Sequence, residues 1–310
     1  MKEFEETYKD ILNNQDEEFK KAFEELKEAK KKIIIIDVII ICIALIYMRI
    51  NPFNIRYMLI GMVSVIVAYI VAIKVTGIQR KSKRYNSLYK DRVIKKMIEA
   101  KFTNLEYEPE MGMSRNIYAE GKYENYDRYK SDDYMIAKID DKYKVEMAEI
   151  ETERKETTED SEGNKRTSYV TIFHGLFAKI EMEKSINSNL EIYPNKTELF
   201  FKKNKITMDS SEFEKNFDVK ATNKIVAMQL LTSDVMEELI SFMRINNMKY
   251  DIKIRENIMY IRFYCGRVFE TGKLREGIVE KKLIERYYNI LNFTYTLPKK
   301  IIKLIESTEI

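Results

Sequence analysis

Of 310 residues, two are cysteine and one is histidine. Cys42 lies inside an apolar run and Cys265 far away in a polar region, so the two are poor disulfide partners. No disulfide framework is implied, and a reducing compartment fits. His174 alone cannot supply a His-based metal site, and a catalytic triad needs partners that the sequence does not name. Gly163, Gly175, Gly266, Gly272 and Gly277 are scattered singly, and none opens a phosphate-binding loop. One-sided charge is also lacking: 54 Lys+Arg against 50 Asp+Glu leave a net charge of +4, which makes no case for nucleic acid.

What is present is unevenly spread. Apolar residues crowd between Ile33 and Val75. Ile33 to Ile50 reads IIIIDVIIICIALIYMRI, broken only by Asp37 and Arg49. As a helix, a run of that length measures about 27 Å, close to the roughly 30 Å of bilayer hydrocarbon. Tyr57 to Ile73, YMLIGMVSVIVAYIVAI, carries no charge; Gly61 and Ser64 are small enough to let helices approach closely in lipid. Asn51-Pro52 between them is a turn signal. The reading is a transmembrane helix hairpin over residues 33–78, with spans at about 33–50 and 57–75. Buried core helices or strands of a soluble protein are the alternative, but buried strands usually run about 4–8 residues. The charged first 32 residues and the missing small-residue cleavage site argue against a signal peptide.

Basic residues set the expected orientation. Lys20, Lys21, Lys27, Lys30, Lys31 and Lys32 precede the first span; Lys74, Arg80, Lys81, Lys83, Arg84, Lys90 and Arg92 follow the second. The loop offers Arg49 and Arg56. Both termini are therefore expected in the cytoplasm of a two-pass cell-membrane protein, with the basic flanks on anionic lipid headgroups. Asp37 is either an intramembrane carboxylate in an ion path or an interfacial residue able to pair with Lys74; a single carboxylate at the edge of a span favours the latter.

Residues 1–32 form a charged N-terminal segment whose 4–31 stretch reads as one amphipathic helix, with Leu12, Phe19, Ala22, Leu26 and Ala29 as a short, weak coiled-coil seam. Residues 79–101 also read as helix. From Phe102 the pattern turns to alternating strands, including a long hairpin with a charged tip around residues 157–166, expected to be loosely ordered. Lys224–Leu231 reads as a strand and Ser233–Asn247 as a helix that Thr232 can cap. Asp209, followed by Glu212, reads as the cap of a short helix. Lys249–Arg255 and Asn257–Cys265 read as a hairpin, and a closing helix, Arg275–Leu291, precedes a second one after Pro298. The mixed order makes residues 79–310 an α+β domain, expected to fold without the hairpin.

The stretches YDRYKSDDYMIAKID, VTIFHGLFAKIEM and ITMDSSEFEKNFDVKATNKIVAMQLLTSDVMEELISF resemble the bacterial family catalogued as domain of unknown function 3137. The resemblance covers most of residues 1–290 and implies a charged segment, a membrane hairpin and a soluble domain, with no activity, ligand or catalytic residues to carry over.

The remaining candidates have ordinary readings. Asp127, Asp132, Asp133, Asp140 and Asp141 lack the spacing and glycine of a calcium loop and read as solvated turn charges. Tyr123, Tyr126, Tyr129 and Tyr134 could stack a ligand but suit strand packing. Cys265 reads as a small core residue. No catalytic, metal or cofactor residue is therefore nominated. The expected function is a membrane-anchored interaction, scaffold or sensor domain with a protein partner or a second copy of itself; a membrane-associated enzyme of unrecognised type, for example a hydrolase, is the alternative.

Overall fold

The computed structural model describes residues 3–50, 55–159, 163, 165–195 and 205–307. The expected turn at Asn51-Pro52 and part of the 157–166 tip lie outside the described residues. The chain divides into two compact units: Tyr8–Ile94 with Thr271–Lys281, and Met1–Thr7 with Lys95–Glu270 and Lys282–Ile310.

The single helix read over 4–31 is in fact two, α1 (Phe4–Asn13) and α2 (Glu17–Ile50). The break is chemical: Asp16 accepts a hydrogen bond from the Phe19 amide at 2.8 Å, capping α2 and stopping α1 before it. α3 (Ile55–Thr76) follows, then α4 (Ile78–Tyr89), which continues through a π-helical turn, Lys90–Ile94. Gly77 joins α3 to α4 at φ +59°, a conformation that favours glycine. The apolar stripe of α2 is used inside this unit. Phe19 stacks on Tyr85 at 5.5 Å, Phe23 tilts against the same ring, and Ala22, Leu26 and Ala29 are buried. The Tyr85 hydroxyl donates to the Ile278 carbonyl at 2.8 Å. Leu12, the first residue of the supposed seam, stays exposed.

Further along α2 and α3 the apolar side chains face outward. Ile34, Ile35, Ile39, Ile43 and Ile46 on α2 and Leu59, Val63, Ile66, Val67 and Ile70 on α3 are all exposed. Among the described residues no single helix is long and apolar enough to cross a membrane. One bent pair, Gly61–Thr76 and Ile78–Glu99, meets the length and composition at an angle of 49°.

The second unit is α+β. Among the described residues its sheet has nine antiparallel strands: β1 (Thr103–Glu108), β2 (Arg128–Ile139), β3 (Tyr143–Glu159), β4 (Lys165–Glu181), β5 (Asn189–Pro194), β6 (Lys205–Ile206), β7 (Phe217–Ala221), β8 (Tyr250–Arg255) and β9 (Ile258–Phe263). They lie in the order β1-β2-β3-β4-β9-β8-β5-β7-β6. β3 and β4 stay paired as far as Glu159 and Lys165, so strand runs well into the expected loose tip. Gly175 on β4 has a steric reason: a Cβ there would sit 1.8 Å from the Phe263 carbonyl oxygen.

The helices of this unit are α5 (Lys95–Glu99), α6 (Arg115–Glu120), α7 (Ser211–Asn216), α8 (Lys224–Leu230), α9 (Ser233–Asn246) and α10 (Lys281–Ser307). Lys224–Leu231 was expected as a strand and is the helix α8. Asn223 caps it by accepting from the Ile225 amide at 3.0 Å, and helical turns bury Val226, Ala227 and Leu230 while leaving Ile225 exposed. Ser210, not Asp209, caps α7, and Thr232 makes no side-chain cap for α9. The closing helix is also one element rather than two. Pro298 lies inside α10, whose turns on either side bury Leu291, Leu297, Ile301 and Ile305; that burial outweighs the missing amide.

The sheet has a core on each face. On one, Phe242 of α9 stacks on Phe293 of α10 at 4.0 Å, and both lie against Tyr250 and Phe263 of the central strands. On the other, α6 and the chain after it bring Tyr118 against Phe173 and Phe177, with Tyr123, Tyr126 and Tyr129 around it. This second, smaller core positions the candidate site.

Candidate functional site

Of the residues singled out from the sequence, His174, Asp132 and Asp133 gather around Glu149, whereas Asp127, Asp140 and Asp141 find separate partners. His174 meets Glu149 at 3.2 Å, and the other oxygen of Glu149 accepts from the Val268 amide at 2.8 Å. Burial raises the pKa of this carboxyl above the ordinary range. Asp132, Asp133 and Glu149 each offer an oxygen within 4.8 Å of the others. The two buried members are already partnered, Asp133 by the Tyr107 hydroxyl and Glu149 as above. Asp127 accepts instead from the Lys155 amide, Asp140 pairs with Lys299 at 2.5 Å, and Asp141 accepts from Asn104. Burial pushes the Cys265 thiol up to about 11, and its sulfur faces the Phe263 carbonyl at 3.4 Å, so a thiolate is disfavoured. Tyr126 and Tyr129 pack around Tyr118, and Tyr134 donates to Glu146 at 2.5 Å.

The arrangement with most chemistry lies on the face of β8 and β9 turned toward the smaller core. Ladder pairing puts Asp251 opposite Arg262. Arg262 directs Nε and Nη2 to the Asp251 carboxylate at 2.7–3.1 Å, Nη1 to Glu124 at 2.9 Å and to the Tyr118 hydroxyl at 3.3 Å, and Nη2 also to the Tyr264 hydroxyl at 2.8 Å. Tyr264 in turn donates to Asp251 at 2.7 Å. The guanidinium is therefore fully satisfied, and Asp251 with its hydrogen bonds holds its pKa well above even the ordinary arginine value against the cost of burial.

Two residues along β8, Lys253 is also buried. Its ammonium donates to the Gly121 and Lys122 carbonyls at 3.2 and 2.8 Å and lies 4.1 Å from the Tyr123 ring centroid. Burial lowers its pKa to about 8. The Arg262 guanidinium sits 3.7 Å from the same ring centroid, so Tyr123 is held by two cations. Glu191 on β5 accepts from Arg255 and from the Tyr193 hydroxyl, each at 2.7 Å.

Beside this network opens a cleft of about 440 Å³. Tyr123, Tyr193, Tyr264, Pro194 and Ile172 give it apolar walls; Lys122, Lys249, Lys253, Glu124 and Asp218 supply charge. The Tyr193 and Tyr264 hydroxyls are bonded, whereas that of Tyr123 is buried with no hydrogen-bond partner among the described residues. The sequence reading marks out the two strands but does not single out their charged residues. The available signal was the alternation of Asp251, Lys253 and Arg255 with Tyr250, Ile252 and Ile254, opposite a strand carrying Arg262. Charge alternating on a central strand requires partners on that face.

Residues 171–302 match the model of a family described as Protein of unknown function (DUF3137). The match takes in Arg262, Asp251, Lys253 and Tyr193, and leaves out the 113–126 segment that covers them. No curated protein matches the chain. A solved structure, the crystal structure of the mycobacterial trehalose monomycolate transport factor A, TtfA, aligns at 7% identity over 66% of this chain and 93% of that one, with a TM-score of 0.28. That superposition is too loose to transfer a fold or a role.

Proposed function

We propose that the chain is a membrane-anchored binding protein: α2 and α3 form a two-pass hairpin, both termini face the cytoplasm, and the sheet unit works there as a non-catalytic interaction or sensor domain. The observation that carries the reading is the outward apolar surface of the two helices, from Ile34 to Ile46 and from Leu59 to Val71. Soluble monomers rarely expose apolar patches beyond a few hundred Å². Acyl chains solvate such a surface without cost, and helices satisfy their own backbone groups in lipid. Lys30, Lys31 and Lys32 before the apolar stretch and Lys74, Arg80 and Lys81 after it suit anionic headgroups at one face of the bilayer.

The hydrolase alternative finds less support. Cys265 is held as a thiol, and among the described residues no serine, threonine or cysteine side chain is hydrogen-bonded to the His174 ring or the Glu149 carboxylate; Ser131 reaches only the Glu149 backbone carbonyl, at 2.8 Å. An alkaline carbonate wash of native membranes tests the anchor: the full chain is expected to stay in the pellet, and release into the supernatant would rule out an integral hairpin.

A further inference from the structure

The cleft beside Arg262 carries an uneven set of charges. Both of its acids are engaged within the chain: Glu124 accepts from Arg262 at 2.9 Å, and Asp218 pairs with Lys205 at 2.5 Å. Lys253 is spent on two carbonyls and the Tyr123 ring. Lys122 and Lys249 line the same cleft, and their ammonium groups enter no hydrogen bond or ion pair among the described residues. The uncommitted charge is therefore positive, while the walls are three tyrosine rings, a proline and an isoleucine. A volume of about 440 Å³ falls within the roughly 300–1,000 Å³ of small-molecule sites, which are mostly apolar with a few placed polar groups.

We propose that this cleft binds a small organic anion, with a flat apolar body against the rings of Tyr123, Tyr193 and Tyr264 and a phosphate or carboxylate held by Lys122 and Lys249. Tyrosine rings favour a flat partner, since offset stacking adds to area burial. The floor is already rigid, because Arg262 fixes Glu124 and Tyr264 while Lys253 ties the 121–122 backbone to β8. Such a floor loses little freedom when a ligand arrives. The inference rests on reading the sheet unit as a binding domain and names the kind of ligand it would take.

The test uses the full chain in phosphatidylcholine nanodiscs and calorimetric titration with three probes: 1-naphthyl phosphate, 1-naphthol and inorganic phosphate. Naphthyl phosphate, which offers both ring and charge, is expected to bind at least about tenfold more tightly than either part alone. The double variant Lys122→Glu, Lys249→Glu is expected to lose at least about tenfold of that affinity with an unchanged melting midpoint, since both side chains are exposed. Equal binding of all three probes, or full affinity in the double variant, would overturn the proposal. Release of naphthol, followed by its fluorescence, would instead overturn the non-catalytic reading of the unit. Absence of both binding and turnover sinks the cleft alone.

Discussion

Arg262 and Asp251 face each other across the β8–β9 ladder with relative side-chain exposures of 1% and 0%, and Asp251 is the main electrostatic partner of Arg262. A buried pair of this kind is weak support for net stability, because desolvating both ions offsets their attraction. Removing one partner is another matter. Asp251→Ala leaves a buried guanidinium with Glu124 as its remaining anion and should cost about 3–5 kcal/mol in chemical denaturation. A loss below about 1 kcal/mol would mean that water or a rearranged Glu124 replaces the carboxylate.

Lys253 makes stability depend on pH in a stated direction. Its folded pKa is about 8 against an ordinary 10.5. Between those values the unfolded chain binds more protons, so stability rises with pH across that window; below about 8 both states are protonated and the cost of burying the charge is present in full. Lys101 is lowered to about 8 as well, so the comparison must be made against Lys253→Met. The parent protein should gain stability relative to that variant between neutral pH and about pH 9.5, by an amount on the order of a few kcal/mol. Parallel pH profiles would show that the lysine is not buried as described.

Gly175 tests the packing of β4 against β9. Because an added Cβ meets backbone rather than a movable side chain, Gly175→Ala should destabilise by about 1–3 kcal/mol or more and lower the melting temperature of the sheet unit. Unchanged melting would require the two strands to separate there without consequence.

Tyr85 and Tyr89 bear on where a fragment lacking α2 and α3 can begin. A fragment starting at Gln79 removes Phe19 and Phe23 from around these rings. It should retain a cooperative transition from the sheet unit, while residues 79–94 become the first site of proteolysis. Protection of that segment in the fragment would show that Phe19 is not needed to order it.

The legible parts of the fold were those where one signal dominated. Val235, Met236, Leu239 and Ile240 recur at helical spacing, and α9 lies where that stripe predicts. Glu256-Asn257 separates two alternating runs, and β8 and β9 lie on either side. The strand reading of 224–231 failed because Ile225-Val226 favours strand locally, while Asn223 as a cap and the burial of Leu230 decide for helix. The break at Asp16 and the continuity through Pro298 also depend on contacts that a periodicity does not contain. The site was less legible than the fold. His174 and Cys265 stand out by rarity, whereas the cleft is built from lysines and tyrosines, residue types abundant throughout the chain. The ladder register brings Asp251 opposite Arg262, and Tyr264 joins them from just beyond the end of β9.

The most direct test of the membrane-anchored account is the topology of the hairpin in cells. In a background carrying Cys42→Ser and Cys265→Ser, single cysteines are introduced as Asn54→Cys or Ser82→Cys and treated with a membrane-impermeant maleimide. Positive residues on both flanks of the hairpin predict labelling of the Asn54→Cys protein in intact cells, and of the Ser82→Cys protein only after the membrane is opened. The reverse pattern, or equal labelling of both in intact cells, would contradict a two-pass anchor with cytoplasmic termini.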